Sequence, residues 1–198
     1  MFGVTLDDGG AKHPYFTDDK GNPTSTPKTW NLDNAQQIFL GLSNINQALN
    51  GKLRTIIGSA TFTLNTHPTS GYYQGRTSNL TIDFYVTTIM PLQNIYHEFG
   101  HLLNNVPGLK DKFTNAITNE GNPSWVDSDK KINVMALKSD TLTNDPNYPF
   151  NVQARQAFSN FGPGEQWADA FANYVAGNIN LNSPQGADMN TFITGVLP

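Results

Sequence analysis

The segment Tyr96-His97-Glu98-Phe99-Gly100-His101 holds three residues whose types and spacing could do chemistry. On an α-helix, His97 and His101 lie one turn apart on one face, so both imidazoles can reach a single Zn²⁺. Glu98 is turned aside from that pair, where it can hold and deprotonate a zinc-bound water. The chain has four His and three Glu in 198 residues. Random placement would give H-E-x-x-H on the order of once per thousand such sequences, so coincidence explains it poorly. Ile95, Phe99, Leu102 and Leu103 supply apolar cover on several sides, as a buried helix needs.

The elements around this segment must supply what it lacks. The spacing predicts a helix from Pro91 to Asn104 or Asn105, stopped by Asn104-Asn105-Val106-Pro107-Gly108. A continuation H-x-x-G-x-x-H would need Gly and His where Asn104 and Pro107 stand, so the third zinc ligand is not a histidine there. No histidine follows His101 and the chain has no cysteine, which leaves a carboxylate. Glu120 sits in a loop-like Asn-Glu-Gly context. Glu165 opens a helical stretch introduced by Gly162-Pro163-Gly164, with Ala168, Phe171, Ala172 and Val175 as its packed face. Glu165 is the first choice as ligand, against the reading of a first-turn acid favoured by the helix dipole. Asp127 and Asp129 are more distant candidates. Asp169, one turn beyond Glu165, either accepts the outer N–H of a zinc-bound imidazole or is a solvated helix acid. Small Ala168 and Ala172 would let the two helices approach closely.

The remaining pattern is coarser. Thr5 to Thr29 reads as an irregular N-terminal arm, and its His13 as a surface residue. From Asn31, with Asn31 or Asp33 as cap, the residues Leu32, Ile38, Phe39, Leu42, Ile45 and Leu49 predict a long backing helix ending near Asn50-Gly51. Arg54 to Leu64 and Leu80 to Val86 carry strand signals around a turn-rich loop from Pro68 to Thr77, where Tyr72 and Tyr73 could add a short strand. The second strand is either an edge that pairs with an extended substrate or an ordinary core strand. Further on, Leu109 to Asn119 and Val152 to Phe158 predict short helices, Lys131 to Leu137 a strand or loop edge, and Ser139 to Tyr148 a loop. Ser183 to Leu197 predicts a last helix on Met189, Phe192, Ile193 and Val196.

Composition bounds the class. Residues 1–198 read as one domain, divided into an arm (1–29), a sheet and active-site helix lobe (30–105) and a mainly helical lobe (106–198). Charged residues make up only 14%, the net charge is −4, and no Lys/Arg cluster occurs, so nucleic acid and anionic membrane are poor partners. No apolar run reaches the length of a membrane span. The polar, charge-poor composition leans toward a secreted or exported protein, although Met1 to Val4 shows no signal-peptide pattern. The chain reads equally as a mature enzyme or as a domain of something larger. Oligomeric state leaves no mark in the sequence.

H-E-x-x-H followed by E-x-x-x-D on a second helix resembles the gluzincin pattern of thermolysin-like peptidases. The chain is more similar to the anthrax lethal factor catalytic-domain family, whose motif H-E-F-G-H is followed well downstream by E-x-x-A-[DE]-A-F. Here these are His97 to His101 and Glu165-Gln166-Trp167-Ala168-Asp169-Ala170-Phe171. The resemblance implies Zn²⁺ held by His97, His101 and Glu165, with Glu98 as general base, and a protein or peptide substrate. The family also carries a catalytic tyrosine before the third-ligand glutamate, and Phe158 stands at the matching position here. Another donor must then serve the oxyanion, with Tyr148 ranked first and Tyr85, Arg155 or His67 behind it. The expected fold is α+β and zincin-like, a small twisted sheet with a backing helix. The expected function is zinc-dependent endopeptidase. Alternatives are a catalytic toxin or effector module of a larger exported protein, and a metal-binding interaction domain without turnover.

Overall fold

The computed structural model describes residues 2–7, 26–27, 29–66, 75–85, 90–142, 152–155 and 162–198. Strands β1 (Val4–Asp7) and β2 (Thr26–Pro27) precede helices α1 (Leu32–Ala48) and α2 (Leu53–Ile57). Strands β3 (Ala60–Thr66), β4 (Gly75–Ser78) and β5 (Thr81–Tyr85) then lead into the motif helix α3 (Leu92–Asn105). Helix α4 (Lys112–Glu120), a 3₁₀ turn (Val134–Ala136) and the two-residue strands β6 (Thr141–Leu142) and β7 (Val152–Gln153) follow. Helices α5 (Pro163–Val175) and α6 (Pro184–Val196) close the chain. The fold is thus mixed α+β, and no helix among the described residues is long and apolar enough to cross a membrane.

The main sheet runs β1-β3-β5-β4, with β1, β3 and β5 parallel and β4 antiparallel to β5 at one edge. Strand β2 pairs with β3 beyond the end of β1. Phe62, Ile82 and Phe84 are fully buried, and the Phe62 and Phe84 rings meet edge to face at 5.6 Å. They join Ile38, Leu42 and Ile45 of α1 and Ile95, Phe99, Leu102 and Leu103 of α3 in one core. Helix α1 starts at Asn31, whose side chain accepts the Asn34 N–H, and it approaches α3 closely through Gly41, where a Cβ would lie 2.8 Å from Ile95.

Several sequence expectations need correction. The N-terminal arm is not wholly irregular, because β1 and β2 belong to the sheet. Arg54 to Leu64 is not one strand: α2 occupies Leu53–Ile57 and β3 begins at Ala60. Leu53 and Ile57, four apart, are both buried. Burying each contributes about 1.5–3 kcal/mol, which outweighs the few tenths that β-branched Thr55 and Ile56 cost a helix. Of the backing-helix stripe, Leu32 and Phe39 are exposed, Phe39 leaning on Phe2 at 5.6 Å between ring centroids. Strand β5 is interior, and the edge on its side of the sheet is β4, which overlaps the end of the Pro68 to Thr77 loop expectation. Val152–Gln153 is strand rather than helix, and Lys131 to Leu137 holds the Val126–Ile132 bridge and the 3₁₀ turn. The loop expected from Ser139 to Tyr148 contains β6. His13, His67, Tyr72, Tyr73, Tyr148 and Phe158 lie outside the described residues.

Candidate metal centre

Helices α3 and α5 pack face to face, and the residue types at the crossing explain how close they come. Gly100 has no side chain where a Cβ would sit 2.8 Å from the Ala168 Cα. Beside it the Trp167 indole N–H donates to the Gly100 carbonyl at 2.8 Å. Trp167 in turn stacks on Phe113 of α4, at 4.2 Å between centroids and 10° between planes. Phe99 stacks on Phe171 across the same interface. The α5 helix begins with Gly162 and Pro163, a residue suited to a first helical turn, and that turn carries Glu165 into the gap beside α3.

Three donor atoms converge there. His97 Nε2 and His101 Nε2 are 3.2 Å apart, and Glu165 Oε2 lies 3.1 Å from the first and 3.3 Å from the second. Zinc bonds of about 2.0–2.2 Å in a tetrahedral shell imply ligand atoms about 3.3–3.6 Å apart, close to this triangle. The donor set of two imidazoles and one carboxylate fits Zn²⁺ with one position left for water or substrate. Among the described residues this is the one group of three His, Cys, Asp or Glu side chains able to hold an ion.

The surroundings fix the first imidazole. His97 Nδ1 lies 2.8 Å from Asp169 Oδ1, both side chains buried. A carboxylate only accepts, so Nδ1 carries the proton, and a neutral His97 turns the lone pair of Nε2 toward Glu165. Burial pulls the His97 pKa down, but hydrogen bonds to Asp169 and Glu165 outweigh it, and the pKa is pushed up to about 10. Burial raises the Glu165 carboxyl, but His101 and His97 hold it well below the usual carboxylate range. Both shifts mean that the triangle calls for a positive charge, a proton or a metal.

Support extends along α5. The Asn173 amide donates to the carbonyls of Asp169 at 2.8 Å and Ala154 at 2.6 Å, and accepts from Asn178 at 2.9 Å. Glu98 faces the other flank of α3, where the Thr77 hydroxyl lies 2.9 Å from its Oε2 and 2.8 Å from its carbonyl oxygen. Burial pushes the Glu98 carboxyl above its ordinary range, against the pull of His97, His101 and the Thr77 hydrogen bond.

The structure therefore brings together His97, His101, Glu165 and Asp169, and leaves out the other acids considered. Glu120 ends α4 on the surface, its carboxyl raised by burial and by nearby Asp188. Asp127 accepts the N–H groups of Asp129 and Lys131 and pairs with Arg155 at 3.0 Å. Arg155 also reaches Asp140 at 3.6 Å, so its guanidinium is committed to these acids. Thr77 and Asn173 were not singled out by the sequence reading. The one local signal near Thr77 is Asn79, a residue type that tolerates the left-handed φ of 52° it adopts in the two-residue turn Asn79-Leu80 between β4 and β5. Compared with known proteins, the chain matches no protein-family model, no curated protein and no solved structure.

Proposed function

We propose that the chain is a zinc-dependent endopeptidase with a zincin-like fold. The observation that carries this reading is the triangle of His97, His101 and Glu165 donors, with the buried carboxyl of Glu98 within electrostatic reach of all three. His97, His101 and Glu165 would hold the ion, and Asp169 keeps His97 in the tautomer that offers Nε2. Bound zinc would supply a Lewis acid and bring the pKa of a water near neutrality. Glu98 would take the proton from the attacking water and return it to the leaving amine. Metal binding alone needs no base, so the placement of Glu98 supports turnover over simple metal holding. Strand β4, paired with β5 at the sheet edge, is suited to receive an extended peptide by adding a strand.

Metal content and peptide-library cleavage test the reading together. Wild type should hold about one zinc per chain, Glu165→Ala should lose it and Glu120→Ala should keep it. Glu98→Gln should keep zinc while cleavage falls about 10²–10⁴-fold. Zinc retained in Glu165→Ala would remove the third ligand from this account. Undiminished cleavage by Glu98→Gln would remove the base.

A further inference from the structure

Strand β4 lies directly on Glu98, and two of its residues make the contact. Gly75 and Thr77 are two apart, so they face the same side of the strand. At Gly75 a Cβ would sit 2.5 Å from Glu98 Cγ and 2.8 Å from Oε1, so the Glu98 side chain fills the space that any other residue would take. At Thr77 the hydroxyl is within hydrogen-bond distance of both the Glu98 carboxylate, at 2.9 Å, and the Glu98 main-chain carbonyl, at 2.8 Å.

We propose that Gly75 and Thr77 of the edge strand are positioning residues for Glu98. The inference rests on the reading of Glu98 as general base. A hydroxyl has one proton, which it can give to one acceptor at a time. Thr77 Oγ1 lies within reach of both Glu98 Oε2 and the Glu98 main-chain carbonyl, so it ties the carboxylate to the backbone of its own helix. The contact also engages Oε2 and leaves Oε1 for the proton donor, while Gly75 keeps the side chain from being pushed aside.

The test uses full-length wild type, Thr77→Val, Thr77→Ser and Gly75→Ala, each loaded with zinc for kinetics and with cobalt for visible spectra. Valine keeps the shape and strand preference of threonine, so Thr77→Val should fold. Thr77→Val should retain its zinc, with kcat lowered about 10–100-fold and KM changed by less than about twofold. Thr77→Ser should recover to within about threefold of wild type, and Gly75→Ala should lower kcat with zinc retained. The cobalt spectrum should change in Glu98→Gln, in Gly75→Ala and in Thr77→Val, and return in Thr77→Ser. Equal loss in Thr77→Val and Thr77→Ser, loss of zinc in step with activity, or an unaltered Thr77→Val would each overturn the proposal. If wild type cleaves no peptide, the peptidase reading fails, and the spectra still decide: a Thr77→Val spectrum like wild type, or no response to Glu98→Gln, overturns the positioning role.

Discussion

Helix α3 is gripped on two flanks, and the grips differ in depth. On the α5 side, Gly100 meets Ala168, Trp167 hydrogen-bonds the Gly100 carbonyl, and Phe99 and Phe171 stack within the core. On the β4 side, the described contact with Glu98 is made by two residues of a four-residue edge strand. The residues of the proposed metal site therefore owe their geometry to the packing that also holds the fold, whereas Glu98, the proposed base, owes its geometry to a thin contact. Stability and proton transfer should then come apart under mutation, according to the flank that is touched.

Two glycine substitutions make the sharpest test. Gly100→Ala adds a methyl against the Ala168 backbone, which cannot yield without moving α5. The helix-propensity gain of up to about 1 kcal/mol is smaller than the overpacking cost of about 1–3 kcal/mol, so the net effect is destabilising. Because α5 carries Glu165 and Asp169, zinc affinity should fall with stability, seen as a lower Tm and a weaker chelator-competition constant. Gly75→Ala adds the same methyl against a side chain that can swing away, in a strand at the sheet edge. Its Tm should stay near wild type while kcat falls. If the two variants lose stability equally, the contrast between the flanks is wrong.

The same contrast governs what could be read from the sequence. His97, Glu98, His101, Glu165 and Asp169 sit on helices whose apolar residues recur at helical spacing, so a local pattern placed each on a face. Small Ala168 and Ala172 signal the closeness of the helices, whereas Gly100, which makes the approach possible, is hidden inside the H-E-x-x-H motif. Strand β4 had no such signature. Gly75-Arg76-Thr77-Ser78 lacks apolar alternation and becomes a strand by pairing with β5, a tertiary fact. Strand β1 was missed for a similar reason, since Val4 pairs with Ala60 far along the chain. The error at Arg54 to Ile57 has the opposite cause: β-branched residues suggested a strand where the Leu53 and Ile57 spacing buries one helical face.

A smaller effect on the α5 flank should follow from Asp169→Asn. The amide oxygen can still accept from His97 Nδ1 at the position that gives 2.8 Å now, so the ring orientation is kept and the charge is lost. Removing that charge lowers the basicity of Nε2, and zinc affinity should fall about 10–100-fold. Tm should change less than in Gly100→Ala, because no backbone is displaced. A chelator competition that finds wild-type affinity would make Asp169 an ordinary buried acid.

The mildest prediction concerns pH and separates a proton from a metal at the triangle. In the metal-free protein His97 has a folded pKa raised from 6.5 to about 10, so the stability it contributes is full below pH 6.5 and is lost as the pH rises through about 10. Glu98 also has a raised folded pKa, so its contribution too declines once the pH rises above its ordinary value of 4.5. Glu165 is depressed, so its contribution is present above pH 4.5 and is lost only in strong acid, outside this window. Between pH 7 and 10 the metal-free Tm should therefore fall. With zinc bound, Nε2 of His97 is no longer free to take the proton, and that part of the slope should vanish while zinc affinity itself rises with pH. Asp169→Asn should flatten the metal-free slope as well, since Asp169 raises the His97 pKa both by hydrogen bonding and by its charge. Parallel Tm curves for metal-free and zinc-loaded protein would mean that His97 does not exchange its proton for the metal.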